Sequence, residues 1–158
     1  MKQLLFTLII SFLFSTQIIA QRGVLTGLKS FEVIVSLSEQ LEAHSYNSDT
    51  IKTDVELQLK LSGIKVSNDF IKNISGQLFV DVITYDFYEN YFAYTISLLV
   101  IEAVFVPRLN IDDYGAITWH TNSVGVSTFD YQGWQFIREI INEKVDNFLN
   151  DYLEDNPK

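Results

Sequence analysis

The sequence contains no cysteine, only two histidines, two prolines and seven glycines, and fewer basic than acidic residues, with 11 Lys+Arg against 20 Asp+Glu. Without cysteine there is no disulfide framework, no thiolate metal site, no cysteine nucleophile and no lipid-modified cysteine. The shortage of basic side chains gives a formal net charge of −9. That balance excludes the cationic footprint that nucleic acid requires and the polybasic segments that anionic membranes attract. Few Pro and Gly beside 47% hydrophobic residues also exclude a disordered chain. No zinc-protease, nucleophile-elbow, phosphate-loop, dinucleotide-glycine or EF-hand pattern occurs.

What is present begins with an address. Lys2 precedes an apolar run from Leu4 to Phe14, then Ser15-Thr16-Gln17, then Ile18-Ile19-Ala20. A basic start, a short apolar core and a small residue at the cut make a secretory signal over residues 1–20. Its core of 11 residues (Leu4 to Phe14) is too short to span a bilayer, which takes roughly 20. Because Ile18 is large where a small residue is usual, an uncleaved amino-terminal membrane anchor is the competing reading. Cleavage after Ala20 leaves 138 of the 158 residues and, by removing Lys2, changes the charge from −9 to −10. The expected destination is periplasmic or secreted.

Residues 21–158 show no repeat, low-complexity tract or linker and read as a single domain. Phe31, Val33, Val35 and Leu37 alternate with Glu32, Ile34 and Ser36, the period of a strand. Residues 38–49 read as a loop with a helical turn. From Ile51 to Leu61 both periods fit: Ile51, Val55 and Leu59 step by four, while Val55 to Leu61 also alternates. A cap from Asn47, Ser48 or Asp49 and the closing Gly63-Ile64 favour a helix. Lys65 and Val66 are a short strand candidate, residues 78–83 a clearer one. Tyr91 to Val106 is one long strand ended by Pro107, expected to begin with one wet face and finish covered on both. A polar loop, with Asp112-Asp113 as turn residues, leads to a last strand over 116–126 in which Gly125 marks a bulge. Trp134, Ile137, Ile141, Val145, Phe148 and Tyr152 form the apolar stripe of a terminal helix capped by Asp130. Its outer face, with Arg138, Glu139, Lys144, Asp146 and Asp151, is expected to meet solvent. The fold class is therefore α+β, a two-layer sandwich of a mostly antiparallel four- to five-stranded sheet with two helices on one face.

Three segments carry a resemblance: Leu28-Lys29-Ser30-Phe31-Glu32-Val33, the pair Thr118-Trp119, and the ending from Val145 through Tyr152 to Pro157. Together they resemble a group of small exported bacterial proteins over nearly the whole mature chain. This implies export and transfers no functional residue. In element order the chain is also similar, more loosely, to periplasmic accessory domains of envelope machines, of the curli-secretion and TolB amino-terminal type. That likeness implies work alongside other envelope proteins, by analogy of fold.

Candidate chemistry is sparse. His44 and His120 are far apart in sequence, and if Trp119 faces the core of a strand then His120 faces water. Asp81, Asp86 and Glu89 flank a hairpin without a positioned acid–base partner. The most distinctive segment is Tyr85-Asp86-Phe87-Tyr88-Glu89-Asn90-Tyr91-Phe92-Ala93-Tyr94, six aromatics around an acidic turn. Its bland reading is cross-strand ring pairs that stiffen the hairpin. Its functional reading is a contact surface, with Tyr85, Phe87, Tyr88 and Tyr91 as candidate partner-binding residues. The sequence thus points to a non-enzymatic exported accessory protein without cofactor or metal, which binds another envelope protein through this hairpin or an open sheet edge. The alternative is a carrier or sensor of an apolar small molecule or lipid held between the sheet and the terminal helix.

Overall fold

The computed structural model describes residues 23–68, 74–108 and 111–157. The secretory signal expected over residues 1–20 lies outside them.

Among the described residues, five strands and three helices follow in the order β1 (Ser30–Leu37), α1 (Glu39–Ala43), α2 (Ser48–Leu61), β2 (Lys65–Val66), β3 (Ser75–Tyr88), β4 (Tyr91–Val106), β5 (Ile111–Thr128) and α3 (Tyr131–Asp155). They form an open sheet of order β2-β1-β3-β4-β5. The β3–β4–β5 meander is antiparallel and carries the long ladders, whereas β1 pairs in parallel with β2 and β3. The fold is α+β, as the patterning implies, with a short third helix, α1, where a loop with a helical turn was expected.

The helix ambiguity at 51–61 resolves through its ends. Asn47 accepts hydrogen bonds from the Asp49 and Thr50 amides, which have no intrahelical partner. At the other end Gly63 takes φ +82°, and the Gly63 and Ile64 amides return to the Lys60 and Leu59 carbonyls. Buried Ile64 completes this left-handed cap, which a strand could not use. Ile51, Val55 and Leu59 are buried while Leu57 and Leu61 are exposed, so the four-residue step is the one that packs.

α2 and α3 pack on each other and on one face of the sheet. Between them and the strands lies a core of Phe31, Val33, Leu78, Val80, Val82, Phe92, Ile96, Leu98, Val100 and Trp119 from the sheet, with Ile137, Ile141, Val145 and Phe148 from α3. Asp130 caps α3 by accepting from the Gly133 amide, and that hydrogen bond is the main reason its carboxyl is held below the usual range. Two residues assigned to the solvent side of α3 have partners: Arg138 binds Asp54 of α2 through Nε and Nη2 (2.9 and 2.6 Å), and Asp151 accepts the Trp119 indole N–H at 2.8 Å. They meet other elements because α3 is long enough to pass over both α2 and β5.

The last strand differs most from expectation. It starts at Ile111, so Asp112 and Asp113 lie in β5, paired with Phe105 and Val104, and are not turn residues. The register shifts fall at Val100/Ile101 and Glu102/Ala103, leaving Thr118 and Gly115 without opposite residues. Gly125 is regularly paired with Tyr94 and marks a close approach: a Cβ there would stand 2.5 Å from the Tyr94 hydroxyl.

Candidate functional site

Among the described residues, no helix lies on the other face of the sheet. β4 shows why it is distinctive: Phe92, Tyr94, Ile96, Leu98 and Val100 point into the core, so Tyr91, Ala93, Thr95, Ser97, Leu99 and Ile101 point away. Leu99 and Ile101 are half-buried by their neighbours in the sheet, and no helix covers them. The second cover expected at the end of this strand is absent among the described residues. Long apolar runs were read as two-sided burial, but flanking strands alone shield much of a side chain at the centre of a sheet.

Cross-strand register arranges this open face in rows. Ile83, Thr95 and Val124 form one row; Tyr85, Ala93 and Val126 form the next; Tyr88 and Tyr91 close the hairpin end. Exposures are 40% for Ile83, 62% for Tyr85, 66% for Tyr88, 49% for Tyr91, 73% for Val124 and 47% for Val126. With Thr95 and Ala93 between them in the rows, these six side chains share one face in neighbouring cross-strand rows and are not scattered exposed apolars. A shift in register between Asp86 and Tyr88 sets the hairpin end. Without it Tyr88 would follow Asp86 onto the core side of the pleat; with it, Tyr88 pairs with Tyr91 on the open face. The turn is two residues long and places Glu89 at φ +39°, a conformation unfavourable for a side chain bearing a Cβ.

Three of the four sequence candidates, Tyr85, Tyr88 and Tyr91, are therefore exposed together; the side chain of Phe87 lies outside the described residues. Phe92 and Tyr94 of the same segment are core residues. Tyr94 sits edge-on to Phe136 at 6.4 Å, and burial raises its pKa. The aromatic segment is thus half core and half surface. Sequence reasoning missed Ile83, Val124 and Val126, whose alternation was visible but not which face it would bury.

Charge on the sheet is one-sided. β1, β3, β4 and β5 contain no Lys or Arg, yet hold Glu32, Asp81, Asp86, Glu102, Asp112 and Asp113. On the open face Asp81 lies between Ser36 and Ser97 in register, and Glu32 accepts a hydrogen bond from the Gln77 amide group.

His120 is exposed while Trp119 is buried, as alternation requires, and His44 stacks on Phe129 at 4.2 Å. Among the described residues no group of three or more His, Asp or Glu could hold a metal ion, and no helix is long and apolar enough to cross a membrane. Beneath α3, where an apolar ligand was the alternative expectation, Tyr46 packs on Trp134 at 4.7 Å, and Ile137 and Ile141 are buried. A recess of about 220 Å³ lies elsewhere, between β1 and the start of α2, lined by Glu32, Asp49 and Lys52 among others.

No protein-family model matches the chain, and no curated protein matches it in sequence. Among solved structures it is similar to a minor lipoprotein from Acinetobacter baumannii, at 13% identity and a TM-score of 0.45, covering 80% of this chain and 92% of that one. It is also similar to a PelC dodecamer from Paraburkholderia phytofirmans, at 11% identity and a TM-score of 0.44, covering 80% and 88%. Neither likeness bears on what this chain does.

Proposed function

We propose that the protein is an exported, non-enzymatic accessory protein that binds another protein of the cell envelope through the open face of its sheet. The observation that carries this reading is the set of six exposed apolar side chains, Ile83, Tyr85, Tyr88, Tyr91, Val124 and Val126, in adjoining cross-strand rows. Tyrosine suits such a contact because a rigid ring supplies area and its hydroxyl a hydrogen bond. The acidic, Lys- and Arg-free strands set the partner's character: apolar with basic side chains at the rim. Export rests on the order of residues from Lys2 to Ala20. The non-enzymatic reading rests on the lack of converging acid–base groups among the described residues.

The test is in-cell crosslinking of the exported protein followed by mass spectrometry, comparing wild type with a Tyr85→Ser, Tyr88→Ser, Tyr91→Ser triple variant. All three side chains are at least 49% exposed, so the fold should survive. The expected outcome is loss of one specific crosslinked protein with unchanged amounts of the chain itself. An unchanged crosslink pattern would sink the reading.

A further inference from the structure

A sheet edge presents a row of unpaired backbone amides and carbonyls, and stable proteins blunt it with short strands, Pro, Lys, bulges or a covering element. The two edges here are unequal. β2 is only two residues, Lys65–Val66, and is blunted by its length. β5 is 18 residues, and from Trp119 to Thr128 it pairs with β4 in unbroken register. Those ten residues contain no Pro and no formal charge. They lie within the longest uncharged run after the signal segment, Tyr114 to Phe129. Among the described residues, no backbone hydrogen bond joins residues 121–127 to any element other than β4.

We propose that β5 pairs antiparallel with β5 of a second copy of this chain, joining two five-stranded sheets into one of ten strands. This goes beyond the open-face reading, because it concerns the edge and a like partner. Three arguments select that occupant. A two-fold axis normal to the sheet brings identical edges together antiparallel, so one uncharged strand is its own complement. The charge of −9 would repel a second copy at most surfaces, but residues 114–129 hold no charged side chain to do so. The head-to-tail alternative, β5 on the partner's β2, has only two residues to pair, so association closes at two copies. Pairing ten residues makes about ten backbone hydrogen bonds, the number typical of a specific protein interface. Val124 and Val126 of the two copies then flank the seam, and the open faces become continuous.

Sedimentation equilibrium and native mass spectrometry of the chain as the exporting cell delivers it test this directly. The expected species is a dimer. Val124→Lys and Val126→Lys, at positions 73% and 47% exposed, place like charges along the seam and should weaken self-association by about tenfold or more. Tyr88→Ser, at the hairpin end, should leave the dimer intact; its effect on heterologous crosslinks reports separately on the open-face reading. If circular dichroism shows that a Lys variant has unfolded, amide exchange of the wild type decides: residues 119–127 must be better protected at high than at low protein concentration. A wild-type monomer up to the solubility limit overturns the proposal. So does a dimer that both folded Lys variants retain, or concentration-independent exchange at 119–127.

Discussion

Phe148 of α3 is the position where one substitution tests the whole packing scheme. Its ring is fully buried and sits edge-on to Phe31 at 5.2 Å and to Trp119 at 5.3 Å, with Tyr152 at 6.0 Å. It therefore joins the helix to both β1 and β5. Truncation to Ala removes the buried ring and leaves a cavity, at a cost of about 3–5 kcal/mol, of which the two edge-on contacts account for ~0.5–1.5 kcal/mol each. Against a total stability of roughly 5–15 kcal/mol, Phe148→Ala should remain folded with a melting temperature lowered by about 10–15 °C. Phe148→Asp should not fold, because the carboxylate would be buried among the rings of Phe31, Trp119 and Tyr152. Urea titration followed by tryptophan fluorescence is the assay of choice, since Trp119 touches the mutated ring. A loss below about 1 kcal/mol for Phe148→Ala, or a folded Phe148→Asp, would refute the assignment of this helix face to the core.

Two further substitutions test the packing at the start of α3. Tyr46 donates its hydroxyl to the Thr128 carbonyl at 2.8 Å and, at 3.3 Å, to that of Asp130; burial, then the Asp130 charge, push its pKa up to about 12. A raised phenol pKa favours the protonated native state. The stability it contributes is complete below about pH 10, the unfolded value, and is lost as pH rises toward about 12. Thermal melts in rising pH should fall off more gently for Tyr46→Phe than for wild type, from a neutral-pH stability about 1 kcal/mol lower; parallel alkaline curves would contradict this. Gly133→Ala should destabilise by about 1–3 kcal/mol despite the ~1 kcal/mol that helix propensity alone would gain, because the new Cβ would stand 1.9 Å from the Thr128 carbonyl oxygen. A higher melting temperature for this variant would show that the β5–α3 junction is looser than described.

The amphipathic elements were legible because their periods match what they bury. The stripe from Trp134 to Tyr152 and the Asn47 and Gly63 ends of α2 each follow from local rules of spacing and capping. What could not be read was which face of each strand the helices would cover. Alternation places Phe92 and Tyr91 on opposite faces but is symmetric between them, and only the docking of α3 against Phe92, Ile96 and Val100 breaks that symmetry. Hence the aromatic segment looked like one feature in sequence and is two in space. Asp151 and Arg138 were misplaced for a related reason: a helical position polar in pattern can still face a distant donor or acceptor, here Trp119 and Asp54.

Three segments far apart in sequence, residues 28–33, 118–119 and 145–157, meet at one place. Phe31 of the first packs on Phe148 of the third, Trp119 of the second packs on the same ring, and the Trp119 indole donates to Asp151. Tyr152 donates to the Leu28 carbonyl, while Asp155 accepts the Gly23 and Leu25 amides and Asn156 accepts from Gly27 and donates to Leu25. These residues tie the start of the described chain, β5 and the end of α3 into one packed node. Their role is to hold the sheet against the helix, and none of them lies on the open face. Tyr85, Tyr88, Tyr91, Val124 and Val126 lie outside all three segments. Substitutions in that node should therefore act on stability, whereas those on the open face leave the packing of sheet against helix untouched.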